Sequence, residues 1–343
     1  MLEDLNARLS QYGRYPLLEG PTPIQRLSRL EAVLGDEAGG ARLWVKRDDL
    51  MEVGGGGNKL RKLEFLIGEA LAQGCDTFIT TGGLQSNHAR QSAAAAARAG
   101  MACELMLADV VPRHDQDYRN NGNLLLDQIF GARVHRLSPG AAPVAAAQAR
   151  ADELREQGHK VYVVGNGGSS PLGALGYAAS AAEIIAWEAT SQVRFDTIVV
   201  PNGSSGTHAG LVAGLAAADD APERVLSYTV LAPLHTALSD TRRLAKDALH
   251  LLDPERQIAD QAIIVDGSQR GEAYGIPTGA MLAAVRTLAR SEGLLLDPVY
   301  SGKAFAGFLE RARSDAWANR DVLYVMTGGT PGLFAYAQAF VGQ

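Results

Sequence analysis

Apolar and polar positions follow two rhythms along the chain. Short apolar runs, several rich in Val, Ile and Thr, fall at Leu43–Lys46, Thr77–Thr81, Cys103–Leu107, Arg133–Leu137, Val161–Val164, Thr197–Pro201, Val225–Leu231, Ile263–Val265 and Val322–Met326. Most are too short for helices and predict strands. Between them the period lengthens. Leu63, Leu66, Ile67, Ala70 and Leu71 recur at helical spacing, with Glu64, Glu69 and Gln73 off that stripe. Asn87–Ala99 is nearly all alanine after a polar start, which predicts a closely packed helix. Pro143–Gln157, Leu172–Glu188, Thr236–Leu251, Thr278–Glu292 and Ser301–Arg313 also read as helices. Strand–helix alternation of this kind predicts the α/β class, with mostly parallel twisted sheets and helices on both faces.

A chain of 343 residues is long for one core, so two domains are expected. No linker stands out by composition, which leaves the chain free to cross between domains more than once. Apolar residues make up 46% and charged residues 20%, as in ordinary globular proteins. The net charge of −6 and the lack of a Lys/Arg block argue against nucleic acid or an anionic membrane as the main partner. The start, MLEDLNARLSQYGRYP, has no apolar core of a signal peptide, and no run is long enough for a transmembrane helix. Cys75 and Cys103 make neither a disulfide framework nor a metal set. They predict two small buried side chains in a reducing cytoplasm.

Glycine-rich turns follow several predicted strands, where open α/β sheets bind ligands. Pro201–Gly210, PNGSSGTHAG, places Gly203 and Gly206 for close backbone approach, with Ser204, Ser205 and Thr207 as hydroxyl donors. A helix starting near Thr207 would aim its positive end at the same spot, forming a phosphate cradle. A plain Gly/Ser turn with a Thr cap fits the same letters. In GGLQSNHAR (Gly82–Arg90), Ser86 or Asn87 would cap the alanine helix. One cap leaves Gln85, His88 and their neighbours in surplus, which suggests a site for an anionic group. Lys59 follows four glycines at the threshold of a helix. The helix dipole and partial burial both lower a lysine's pKa from about 10.4, and a lysine so tuned forms imines. With a phosphate cradle elsewhere, this suggests pyridoxal phosphate. A solvated lysine is the plainer alternative. Tyr274 and Tyr300 sit in Gly/Pro-flanked loops, either as core residues or as groups that exchange protons. Thr327 falls at the carboxyl end of the last predicted strand.

Taken together, YPLLEGPTPIQRLSRL, VKRDD, GGNKLRKLEFL, GGLQSNHARQ, PLGALGY, GSSGTHAGLVAGL, AYGIP, LDPVYSGK and TGGTPGLFAY span nearly the whole chain. In that order they resemble the D-cysteine desulfhydrase and 1-aminocyclopropane-1-carboxylate (ACC) deaminase group of pyridoxal-phosphate enzymes, with the two-domain tryptophan-synthase-β fold (fold type II). The resemblance implies that Lys59 carries the cofactor as a Schiff base. It implies that Asn87 bonds the cofactor's 3′-oxygen, and that Gly203, Ser204, Ser205, Gly206 and Thr207 bind its phosphate. Gln85, Ser86, Asn87 and His88 would hold the substrate carboxylate, and Tyr274 and Tyr300 would flank the substrate. Lys59, Ser86, Tyr274 and Tyr300 are the implied catalytic side chains. The implied small domain covers residues 63–171, set into a large one of residues 1–62 and 172–343, in a homodimer.

ACC deaminases carry Glu and Leu where this chain has Ser301 and Thr327, while desulfhydrases have hydroxyl residues there. A hydroxyl near the pyridine nitrogen gives a shallower electron sink, which suffices when a good leaving group departs from the β-carbon. The resemblance therefore implies α,β-elimination of a small amino acid, D-cysteine first, yielding pyruvate, hydrogen sulfide and ammonia. ACC and cysteate are the alternative substrates. A non-catalytic protein that binds a phosphorylated ligand is the alternative of another class. No metal is expected.

Overall fold

The computed structural model describes residues 2–138 and 140–341. Its strands are β1 (Ile24–Arg26), β2 (Arg42–Arg47), β3 (Thr77–Gly83), β4 (Ala102–Ala108), β5 (Arg133–Leu137), β6 (Val161–Val164), β7 (Thr197–Asn202), β8 (Val225–Thr229), β9 (Ile264–Asp266) and β10 (Asp321–Met326). One six-stranded sheet runs in the order β1-β2-β10-β7-β8-β9. All its pairings are parallel except β1 with β2. A four-stranded sheet runs β5-β4-β3-β6, all parallel. Residues of β10 and β8 are buried throughout, as strands covered on both faces should be. The expected strands are all present to within about two residues. Only β1 escaped the apolar pattern: it is a three-residue edge strand, Ile-Gln-Arg, with little burial.

The helices are α1 (Leu2–Leu9), α2 (Ser28–Leu34), α3 (Lys59–Ala72), α4 (Asn87–Arg98), α5 (Gln116–Asn120), α6 (Asn123–Ile129), α7 (Pro143–Glu156), α8 (Pro171–Ser191), α9 (Gly206–Ala217), α10 (Leu234–Leu252), α11 (Gly279–Glu292), α12 (Ser301–Ala312) and α13 (Pro331–Ala335). Periodicity misses the short helices α1, α2, α5, α6 and α13, and α9 is expected only from the turn that precedes it. Among the described residues no helix is long and apolar enough to cross a membrane.

The chain passes from the large sheet into the small one through α3, and here the expected stripe fails. Every residue from Leu60 to Ile67 is buried, charged ones included. Glu64, read as polar-face, is 3% exposed, while Leu71, read as core-face, is 38% exposed. The first two turns are enclosed on all sides and have no polar face, and only the last turn reaches solvent, so a single-stripe reading does not apply. Its charges are satisfied internally. Glu64 accepts the N–H groups of Leu17 and Leu18 and pairs with Arg14. Arg61 bonds Asp48 at 2.9 Å and Glu183 at 2.7 Å. Lys46 joins Glu183, and the Tyr177 hydroxyl donates to Asp48. The helix also packs tightly: a Cβ on Gly176 of α8 would lie 2.2 Å from the Arg61 carbonyl oxygen. Of the two cysteines, Cys103 is buried as expected, but Cys75, in the turn after α3, is only half-buried.

Replacing Asp48 by Ala leaves Arg61 with a single anionic partner in a dry site. The expected loss is about 3–5 kcal/mol of folding stability, read from a denaturant titration, with the slope unchanged.

Candidate active site

The carboxyl ends of β3, β7 and β10 converge on one cleft, lined by the loops that follow them. It measures about 580 Å³ with its open mouth, within the usual range for small-molecule sites of roughly 300–1,000 Å³. Lys59, Ser86, Asn87, His88, Gly203, Ser204, Ser205, Gly206, Thr207, Tyr300 and Thr327 all border it. Tyr274 lines an outer cavity that shares Ser86, Leu231 and Tyr300 with the cleft.

Gly54, Gly55, Gly56 and Gly57 all have positive φ. A Cβ on Gly56 would lie 2.3 Å from the Asp49 carbonyl oxygen, so this turn excludes side chains. It delivers Lys59 to the first position of α3. Bonds on both sides fix the lysine's backbone. Arg90 donates to the Gly56 carbonyl at 2.6 Å, Asn58 N–H donates to the Thr327 carbonyl, and the Gln91 side-chain oxygen accepts from Lys59 and Leu60 N–H. Burial lowers the Lys59 pKa to about 8, against a partial upward pull from Asp297.

The loop after β7 forms the cradle. Ser205 takes a left-handed conformation at φ 65, and its N–H bonds the Asn202 side chain. Asn58 donates to the Thr207 hydroxyl at 2.9 Å. The N-terminal end of α9 faces the same space. A further cation, which the sequence reading missed, lies at this point. Lys62 bonds the Gly167 carbonyl at 3.1 Å and the Ser169 hydroxyl at 2.9 Å. Ser169 in turn bonds Ser204. A Cβ on Gly206 would lie 2.6 Å from both the Lys62 amine and the Ser169 hydroxyl. Burial, with Lys59 beside it, holds the Lys62 pKa well below the usual lysine range. The sequence held a signal for it, since Lys62 is three residues after Lys59 and so on the same helix face.

The segment from Gln85 to His88 divides by function. Ser86 caps α4 by accepting the Ala89 N–H, which leaves its own hydroxyl hydrogen free. Asn87 accepts from Asn123 through Oδ1, so its NH₂ group is the end left to act as donor. Gln85 does not border the cleft. Its NH₂ donates to the Tyr118 and Asn121 carbonyls and its oxygen accepts from Asn123 N–H, so it pins the α5–α6 connection rather than a ligand. His88 also departs from expectation. The Thr80 hydroxyl donates to the Val164 carbonyl, so it accepts from His88 Nε2–H. His88 Nδ1 is then a buried, unpartnered lone pair, which repels a carboxylate instead of holding one. Burial and the nearby Lys59 and Lys62 keep this imidazole neutral.

The Tyr274 and Tyr300 hydroxyls are 2.5 Å apart. Burial pushes both phenols above their ordinary range, so the pair stays protonated and one hydroxyl hydrogen remains available. Asp297 holds the start of α12, accepting N–H bonds from Val299, Tyr300 and Ser301. The Ser301 hydroxyl donates to Asp297 and accepts its N–H, so it is engaged within the turn and does not border the cleft. Of the two hydroxyl positions that separate the subgroups, only Thr327 borders the cleft.

An anion cradle with the Lys62 amine, an amide donor at Asn87 and a low-pKa Lys59 fit a phosphorylated aldehyde cofactor. The pattern of the family described as pyridoxal-phosphate dependent enzymes matches residues 15–328. The chain is 40% identical over 342 residues to a D-cysteine desulfhydrase of Serratia proteamaculans (strain 568), covering 97% of this chain and 98% of the relative. It is 39% identical over 337 residues to a D-cysteine desulfhydrase of Salmonella choleraesuis (strain SC-B67), covering 96% and 97%. The crystal structure of an ACC deaminase homologue superposes with a TM-score of 0.87 at 35% identity, covering 99% of both chains. The cleft and these similarities agree: the chain belongs to the pyridoxal-phosphate dependent enzyme family.

Proposed function

We propose that this enzyme is a lyase that performs α,β-elimination on D-cysteine, with water yielding pyruvate, hydrogen sulfide and ammonia. Full-length identity of 40% to a D-cysteine desulfhydrase carries this reading. Pyridoxal phosphate, when bound, supplies an electron sink for charge at the α-carbon of the amino acid. The chain's own groups have separable tasks. Lys62, Ser204 and the start of α9 would hold the phosphate. Lys59 would hold the aldehyde end, and its free amine would serve as the base for the α-proton. Its depressed pKa keeps a useful fraction unprotonated near neutrality. Asn87 offers its NH₂ to the ring oxygen, and the free Ser86 hydroxyl at the start of α4 suits the substrate carboxylate. The Tyr274–Tyr300 pair gives a proton to the departing sulfur, which leaves as the Cβ–S bond breaks.

The large unit of residues 1–62 and 172–343 and the small one of 63–171 belong to the same reading. The two separate sheets support that division. A homodimer also belongs to this reading, supported by exposed Leu125, Ile129 and Phe334 on the adjoining helices α6 and α13. Free thiols at Cys75 and Cys103 support a reducing, cytoplasmic setting. Ring opening of ACC is the second reading, favoured by the likeness to an ACC deaminase homologue. Family membership leaves little room for a non-catalytic binder.

A panel of D-cysteine, L-cysteine, ACC, D-serine and cysteate separates the readings. Pyruvate and sulfide should form fastest from D-cysteine, and turnover of ACC alone would overturn the first choice. Lys59→Ala should lose the visible absorbance of the loaded enzyme and lower turnover by roughly 10²–10⁴-fold. In cofactor-free protein, reductive methylation followed by mass spectrometry should modify Lys59 with a midpoint near pH 8, against about 10.4 for exposed lysines. The sign follows from burial: the amine gives up its proton early, so reactivity rises before that of surface lysines.

A further inference from the structure

Lys303 is fully buried on the first turn of α12, and no step above uses it. The charged group that acts on it is Arg270, of like sign, and burial lowers its pKa to about 8. Its amine donates to two backbone carbonyls, Arg270 at 2.7 Å and Ala273 at 3.2 Å. Those carbonyls belong to the segment that carries Tyr274. Positive-φ glycines bracket the segment, Gly271 at φ 70 and Gly275 at φ 72, and Gly271 and Glu272 are exposed. A segment built this way is not rigid by itself. Its other ties include Arg270 Nε donating to the Leu231 carbonyl, the Tyr336 hydroxyl donating to the Gly275 carbonyl, and a long Ile276 N–H bond to the Ala273 carbonyl at 3.3 Å.

Tyr300 sits immediately before α12, three residues from Lys303, with its N–H held by Asp297. One helix start therefore anchors both phenols, Tyr300 directly and Tyr274 through the lysine. Their hydroxyls must stay about one hydrogen bond apart to work as a pair, and an uncompensated buried amine is costly to keep elsewhere.

We propose that Lys303 is a positioning residue that holds Tyr274 against Tyr300. The inference rests on the elimination reading for its kinetic arm but not for its structural arm. Lys303→Met keeps the length and removes the donors. Hydrogen exchange in the full-length holoenzyme should then rise at the 271–275 amides while α12 keeps its protection. Turnover of D-cysteine should fall by about 10- to 100-fold. In a Tyr274→Phe background the same change should cost less than about twofold more, because the group it positions is already altered. Unchanged exchange in the segment, or losses that multiply across the two backgrounds, would overturn the proposal. If Lys303→Met does not fold, Lys303→Gln, with a shorter reach, carries the same comparison. A wild-type enzyme inactive on D-cysteine defeats the elimination reading, and the exchange result still decides the role of Lys303.

Discussion

Two amines, Lys59 and Lys62, lie on one turn of α3, and among the described residues no carboxylate bonds either; the design of the site follows from that constraint. Burial pushes both toward the neutral form, and each acts on the other. Such a pair is tolerable where an anion completes it. The cradle beside Lys62 offers the place: open N–H groups at the start of α9, hydroxyls on Ser169 and Ser204, and a glycine, Gly206, where a side chain would strike the amine. In the proposed reading, a phosphate in the cradle and a reactive Lys59 would thus be one electrostatic arrangement. A ligand that occupies the cradle also stabilises the folded chain by mass action.

Placing that turn correctly requires both sheets. The small sheet contributes Ser86, Asn87 and His88 at the end of β3, and the large sheet contributes the cradle after β7 and Thr327 after β10. The first two turns of the helix that runs between them are enclosed on all sides, which explains their ion pairs with Asp48, Glu183 and Arg14. Those charges are remote from the chemistry. They fix the axis along which Lys59 projects, while Arg90 and Gln91 of α4 fix the loop that leads into it.

Much of this was readable from the chain. The strands showed in their short apolar runs. The cofactor showed in the combination of a lysine after glycines and a Gly/Ser turn after TIVVP. The four glycines before Lys59 prove to be a turn with positive φ throughout, in which Gly56 has no room for a Cβ. The polar run from Gln85 to His88 was visible too, but its division was not. Four polar letters in a row look alike until their partners are known. Two of them bond within the small unit instead of facing the cleft with a donor.

The sequence by itself determined what is local: periodicity, turn chemistry, and the residue types at the carboxyl ends of strands. Tertiary structure decided what depends on a distant partner. Lys62 gained its role from Ser169, more than a hundred residues away along the chain. The tautomer of His88 came from Thr80 and the Val164 carbonyl. Ser301 was turned inward by Asp297, and Tyr274 was brought to Tyr300 by a loop tied to Lys303. A polar side chain acts through the atoms left over after its hydrogen bonds are made, and only the folded chain fixes which atoms those are.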